Sequence, residues 1–257
     1  MITVAIPFFN TIQYLEFILE PLINSSHVDE IIINDDGSDY QVDVNHPKVK
    51  IFFNDKNVGA FRNKYITISR SSNEWVYLLD SDNILPESSI EVVNKIKNLN
   101  PNTYYSPIQL NLKDDGLDPS LDQKKVIYNF PKKLIDINLA KKYLSESIVN
   151  NQTSKPDVFL DYNSGRVIEW FLNTGNFFVN RNTYLKTMKF IFDDFSYKHI
   201  EADAVVFTAH WLMKGNKIEI VDNLCYTHRV RKQSYTHAVG SKNLESLQYH
   251  QKLLLES

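Results

Sequence analysis

Trp75-Val76-Tyr77-Leu78-Leu79-Asp80-Ser81-Asp82-Asn83 is the stretch on which the reading of this chain turns. Its apolar run predicts a β-strand, and the acids stand at that strand's carboxyl end. On an extended segment alternate residues point to one side, so Asp80 and Asp82 can face a single ligand. Two carboxylates with open oxygen sites suit Mg²⁺ or Mn²⁺, which complete their shells with water and substrate phosphate oxygens. An isolated Asp-x-Asp is also what a solvated turn with acids at a helix start looks like, so the surrounding chain has to decide.

Upstream, residues 2–9 form a β-rich apolar run closed by Pro7 and Asn10, and residues 12–23 carry apolar positions at helical spacing. Residues 30–34 predict a second strand that ends in Asp35-Asp36-Gly37-Ser38-Asp39, residues suited to a turn. A third strand is expected over 49–53 and a helix over 59–69 carrying Arg62 and Asn63. Pro86 opens a further helix to about residue 99. Strands alternating with helices argue βαβ units and a mainly parallel, Rossmann-like α/β sheet with helices on both faces. In such sheets ligands gather at the carboxyl ends of strands, where Asn10, Asp35, Asp36, Asp80 and Asp82 all fall.

Beyond residue 100 the alternation weakens. Helices are expected over 134–148, 203–214 (stopped by Gly215) and 242–255, with strands over 176–180 and 218–226. The expected division is residues 1–100, residues 101–225 and a closing segment with a C-terminal helix over 226–257.

Composition narrows the function. With 43% hydrophobic and 23% charged residues among 257, the chain can bury a sizeable core. A net charge of -3 argues against a protein that neutralises nucleic-acid phosphates, and the Arg229, Arg231, Lys232 group is too short to change that. The single cysteine, Cys225, excludes an intrachain disulfide and Cys-rich zinc sites, which suits a reducing compartment. No window reaches the roughly 18 apolar residues of a membrane span, and no signal peptide is visible. A cytoplasmic protein is expected, with peripheral contact at the inner face of the membrane left open. Phe8-Phe9-Asn10-Thr11 after the first strand is no Gly-rich phosphate cradle, which argues against a sugar-nucleotide nucleotidyltransferase, and there is no P-loop pattern.

Four motifs in order carry a resemblance. Val4-Ala5-Ile6-Pro7-Phe8-Phe9-Asn10 with Tyr14-Leu15, then Ile33-Asn34-Asp35-Asp36-Gly37-Ser38, then Asn57-Val58-Gly59 with Arg62-Asn63, then Leu79-Asp80-Ser81-Asp82-Asn83, resemble the family 2 glycosyltransferases. The match is dense over about the first 90 residues. The resemblance implies the GT-A fold and an inverting enzyme that passes a sugar from a nucleotide donor, UDP foremost, to a hydroxyl of a glycan, glycolipid or wall polymer. It makes residues 1–100 the donor half and 101–225 the acceptor half.

It also implies roles. Pro7, Phe8, Asn10, Asn57 and Ser81 would shape the donor site. Asp36 would accept a hydrogen bond from the base, with Asp35 a loop-shaping or ribose-side group, and Arg62 would lie near base and diphosphate. Asp82 would bind the metal, Mn²⁺ or Mg²⁺, while Asp80 would contact the ribose or a metal-bound water. Inversion needs a carboxylate to deprotonate the acceptor. His199-Ile200-Glu201-Ala202-Asp203 resembles the family's base motif, although Ala202 stands where the first acid is usual. Asp203 is therefore the expected base and Glu201 its rival, while helix capping would account for these acids equally. Thr174-Gly175-Asn176 resembles the acceptor-side segment. His228 is a candidate third metal ligand, with Arg229, Arg231 and Ser234 closing on the diphosphate. Loss of the first acid also leaves open a catalytically silent nucleotide-sugar-binding module.

Overall fold

Alternation along the first strand sets the layers. A computed structural model describes residues 2–116, 122–127, 130, 132–149, 175–194, 197–231 and 235–257. In β1 (Ile2–Phe8), Val4, Ile6 and Phe8 pack with the apolar face of α1 (Leu15–Asn24), whereas Ala5 joins the core on the opposite face with Phe61 and Ile68 of α2 (Ala60–Ser69). Such two-sided burial is what a parallel sheet covered by helices on both faces requires.

β2 (Val28–Asp35), β3 (Val49–Phe53) and β4 (Trp75–Leu78) complete the first half, and α3 (Glu87–Asn94) follows. The expected helix stops short of residue 99. Lys95 caps it, and Asn98 lies in the left-handed region with φ 57° just before Asn100-Pro101. The pairs β1–β2, β1–β4 and β2–β3 are all parallel, as the βαβ reading expects.

The second half contributes β5 (Thr103–Asp115), β6 (Lys125–Ile127), β7 (Leu134–Ile135), α4 (Ile137–Val149), β8 (Phe177–Asn180), α5 (Arg181–Met188), α6 (Phe190–Asp193), α7 (Asp203–Met213), β9 (Lys217–Arg231) and α8 (Tyr235–Glu256). Among the described residues one sheet runs through both halves in the order β3-β2-β1-β4-β8-β5-β9-β7, with β6 on β5. β8 is antiparallel to both β4 and β5, so the sheet is mixed where the halves join. The long β5 was not anticipated. It pairs in parallel with β9 from Thr103↔Lys217 to Asp115↔Arg231, with an irregularity between Pro107 and Gln109, beside a residue that has no N–H for the ladder.

Two features of this frame position the site. Asn180 caps α5 by accepting the Thr183 N–H (3.1 Å). α7 is held under the sheet by aromatic packing: Phe207 stacks on Phe177 (4.3 Å between centroids, 11° between planes), the Tyr104 and Thr208 hydroxyls bond at 3.0 Å, and Trp211 Nε1–H donates to the Lys217 carbonyl (2.7 Å). The first residue of that helix is Asp203, so its location is fixed from below.

Candidate active site

The loops after β1 and β2 are clasped together. Asn10 adopts φ 51°, a left-handed conformation that asparagine tolerates. Its side chain exchanges a pair of bonds with Asp39: Asn10 Nδ2 donates to Asp39 Oδ2 (3.0 Å), and the Asp39 N–H donates to Asn10 Oδ1 (2.9 Å). The Asn10 N–H donates to Ser38 Oγ (2.9 Å), and Ser38 gives its hydroxyl and its N–H to Asp35 Oδ1 (2.6 and 3.0 Å). The Ile12 N–H donates to the Tyr40 hydroxyl (2.8 Å). Gly37 makes the turn at φ +80°, where side chains are strained. The clasp leaves a cleft of about 430 Å³ lined by Asp35, Gly37, Ser38, Asp39, Tyr40, Gln41 and Phe53. Phe53 offers it a ring that is 51% exposed.

Asp36 does not line that cleft. Like Asp35 it is buried, and its carboxylate already holds three donors: Asn54 Nδ2 (2.7 Å) and the Val58 N–H (2.9 Å) on Oδ1, and the Gly59 N–H (2.9 Å) on Oδ2. Burial pushes its pKa up even though those donors pull it down. Its own N–H donates to the Phe8 carbonyl (2.9 Å). In this structure Asp36, the residue expected to read the base, ties β2 to the 57–59 loop, and the neighbouring carboxylate, Asp35, lies in the cleft wall. Behind this tie, Asn34 Nδ2 donates to Asn54 Oδ1 (3.0 Å) and to Asn63 Oδ1 (2.7 Å). Pro7 and Phe8 pair with Asn34 and Asp35 in the sheet, and Asn57 Oδ1 accepts the Gly59 N–H (3.1 Å). Arg62 reaches toward the second half, where its Nε–H donates to the Ile191 carbonyl (3.4 Å).

At the end of β4 the two halves meet on one ammonium. Lys64 lies on the buried face of α2 and is 8% exposed; its Nζ stands 2.8 Å from Asp80 Oδ1 and 2.5 Å from Asp203 Oδ2. Desolvation raises the Asp80 pKa to about 6; Lys64 opposes this, while Asp203 and Asp82 add to it. Burial disfavours the Lys64 charge, but Asp203 and Asp80 outweigh it and shift that pKa upward. Asn176 Oδ1 accepts the Asp80 N–H (2.8 Å), and its Nδ2 donates to Asp80 Oδ2 (3.4 Å). The Gly-Asn segment expected on the acceptor side therefore lies directly against the Asp-x-Asp motif.

The rest of the motif is tied to both edges. The Thr11 hydroxyl donates to Ser81 Oγ (2.9 Å). Ile84 and Thr227 form an isolated antiparallel bridge with N–H···O distances of 3.0 and 2.8 Å. The Arg229 N–H donates to Asn83 Oδ1 (3.1 Å), and its Nε–H to the Asp82 carbonyl (3.2 Å), while the guanidinium sits 4.3 Å from the centre of the Tyr14 ring. His228 lies between these two anchored residues of β9. Among the described residues no group of three or more His, Cys, Asp or Glu side chains is placed to hold a metal ion.

Glu201 is partly exposed, just before the buried Ala202, whose N–H donates to Ser246 Oγ (3.3 Å). Asp203 Oδ1 accepts the Ala204 N–H (2.8 Å). Thr174 and Ser234 lie outside the described residues, as does the side chain of Arg231. Sequence reasoning missed Lys64 and Asn54. A signal for the first existed: Phe61, Lys64 and Ile68 share one helical stripe, and a lysine on a core stripe needs a partner.

Comparisons with known proteins bear on the family and the fold. The family model described as Glycosyl transferase family 2 matches residues 3–148. The Glycosyltransferase GlyG of Streptococcus pneumoniae serotype 4 is 30% identical over 101 residues, covering 36% of this chain and 34% of that protein. Among solved structures, S. aureus TarS 1-349 in complex with UDP-GlcNAc superposes with a TM-score of 0.51 at 13% identity, over 91% of this chain and 60% of that one. The same protein in complex with UDP gives a TM-score of 0.50 at 13% identity, over 99% and 69%. At that identity the likeness is one of fold, the GT-A type of α/β architecture. The chain thus spans a fraction of the length of these relatives.

Proposed function

We propose, from the premise that this chain belongs to glycosyl transferase family 2, that it moves a sugar from a UDP-linked donor to a hydroxyl of a glycan, glycolipid or wall polymer with inversion. One observation carries the reading: Asp80, from the donor half, and Asp203, from the acceptor half, share the Lys64 ammonium at the carboxyl edge of the sheet. Donor-side and acceptor-side acids then border one reaction space.

The cleft between Asp35, Tyr40 and Phe53 offers the exposed Phe53 ring to a nucleobase. Arg229, anchored on the Asp82 carbonyl and the Tyr14 ring, adds a permanent cation beside the Asp-x-Asp motif for the diphosphate. Asp203 serves as the base that takes the acceptor proton as the acceptor oxygen bonds to the anomeric carbon, on the face opposite the diphosphate whose bond to that carbon breaks.

The donor set at the motif fits a divalent cation. A carboxylate at Asp82 and an imidazole at His228, on segments joined by the Ile84–Thr227 bridge, are ligand types that Mn²⁺ accepts, and Mg²⁺ would lean on the carboxylate. When bound, such an ion would neutralise charge growing on the leaving diphosphate. The remaining ligands would come from the donor phosphates and water, in keeping with the lack of a three-residue cluster among the described residues.

The test is a screen of nucleotide sugars by thermal shift with Mn²⁺, followed by UDP release with and without polymer and glycolipid acceptors. A ligand that favours the native state raises the melting temperature. Binding with no release under any acceptor condition would leave a silent nucleotide-sugar-binding module instead.

A further inference from the structure

We infer that Lys64 is a positioning residue that holds Asp203 in place as the base by fastening it to the donor-side Asp80. The inference rests on the glycosyl-transfer reading above and deepens it.

Three elements meet at this ammonium: α2 supplies Lys64, the end of β4 leads to Asp80, and α7 begins at Asp203. With legs of 2.8 and 2.5 Å laid end to end, Asp80 Oδ1 and Asp203 Oδ2 stand no more than about 5.3 Å apart. Two carboxylates that close in a desolvated place repel each other, and a cation between them offsets that repulsion. A base must be held within hydrogen-bond reach of the acceptor hydroxyl. Lys64 meets this need, since it grips both carboxylates and its buried stem leaves the head little freedom. Gly175 keeps this corner open: a Cβ there would lie 3.3 Å from Lys64 Nζ. Glu201, the rival base, has no ion pair among the described residues, so the tether also selects between the two acids.

The arrangement yields a split between turnover and binding. The cleft residues Asp35, Tyr40 and Phe53 are distinct from the carboxylates that Lys64 holds. In Lys64→Met, kcat for the UDP-sugar chosen by the screen should fall about a hundredfold, the scale of losing an effective base. UDP affinity measured by calorimetry with Mn²⁺ should stay within about fivefold.

The double variant Lys64→Met/Asp203→Asn removes cation and anion together, so it reads the same interaction even if the single variant folds poorly. If Lys64 acts through Asp203, the double variant should match Asp203→Asn alone within about threefold in kcat, because coupled residues are not additive. A kcat for Lys64→Met within about threefold of wild type, a loss confined to donor affinity, or a double variant about a hundredfold below Asp203→Asn would each overturn the proposal. A wild-type chain that turns over no nucleotide sugar would instead remove the glycosyl-transfer reading, and this inference with it.

Discussion

Gly175 lies so close to Asp80 that a Cβ built on it would stand 2.4 Å from Asp80 Oδ2. No real Cβ contact is that short, and the carboxylate it meets is held by Lys64 on Oδ1 and by Asn176 on Oδ2 rather than free to swing away. The segment leading into Asn176 can pass the Asp-x-Asp motif only with glycine at position 175.

Gly175→Ala should therefore displace Asp80 and loosen its bond to Lys64. The expected cost is about 1–3 kcal/mol of stability, as for other overpacked sites. Urea denaturation measures it, and an alanine variant as stable as wild type with full transfer activity would show that the corner is roomier than described.

Asp36 and Phe53 should separate stability from binding. Asp36→Ala strips acceptors from three partly buried donors, for a loss of about 2 kcal/mol. Phe53→Ala removes an exposed ring and should leave the unfolding midpoint nearly unchanged. If that ring stacks on the nucleobase, UDP affinity should drop about tenfold, within the roughly 1–3 kcal/mol measured for base–aromatic stacking. Calorimetry with UDP decides, and a Phe53→Ala variant with unaltered affinity would move the base elsewhere.

Asp82→Asn should abolish the extra thermal stabilisation that Mn²⁺ adds in the presence of UDP. Arg229 bonds to the Asp82 backbone carbonyl, which the substitution keeps, so the ligand-free protein should melt within a few degrees of wild type. An undiminished Mn²⁺ response would shift the metal to other ligands.

Acid should weaken the seam between α7 and α8. The Tyr197 hydroxyl lies 2.8 Å from His250 Nε2 and 3.2 Å from His210 Nε2, while His250 Nδ1 lies 2.8 Å from the Ser246 carbonyl. A carbonyl only accepts, so His250 carries its proton on Nδ1 and accepts from Tyr197, which leaves His210 to donate to that hydroxyl. Burial lowers the pKa of His210 to about 3, with His250 and Lys214 adding to the effect. Burial likewise lowers His250 to about 4; the Ser246 carbonyl opposes this and His199 adds to it. Both lie below the unfolded value of 6.5, so the unfolded chain binds more protons in between. Their contribution is complete above about pH 6.5 and is lost as pH falls toward 4. Asp80 pulls the other way between about pH 4 and 6, and Asp36, whose pKa is also raised, acts in the same sense. The decisive comparison is thus the fall in urea midpoint from pH 7 to pH 5 in wild type against His210→Phe, whose ring can still stack on Phe190 (4.1 Å). A smaller fall in the variant is expected, and an equal one would place the acid sensitivity elsewhere.

Taken alone, the sequence determined the parallel β1–β4 half, the turn chemistry of Asp35 to Asp39 and the placing of Asp80 and Asp82 at a strand end, because these follow from local periodicity and turn residues. It hid β5, whose Ser106, Pro107, Asn111 and Lys113 break the apolar pattern of a strand stabilised by its long pairing with β9. It also could not say which of the adjacent acids Asp35 and Asp36 faces the cleft, since that depends on where Asn54, Val58 and Gly59 put their donors. Only the tertiary structure decided that Lys64 joins Asp80 to Asp203. A buried ammonium selects its partners by desolvation and distance, and those partners come from segments far apart in the chain, where no local pattern connects them.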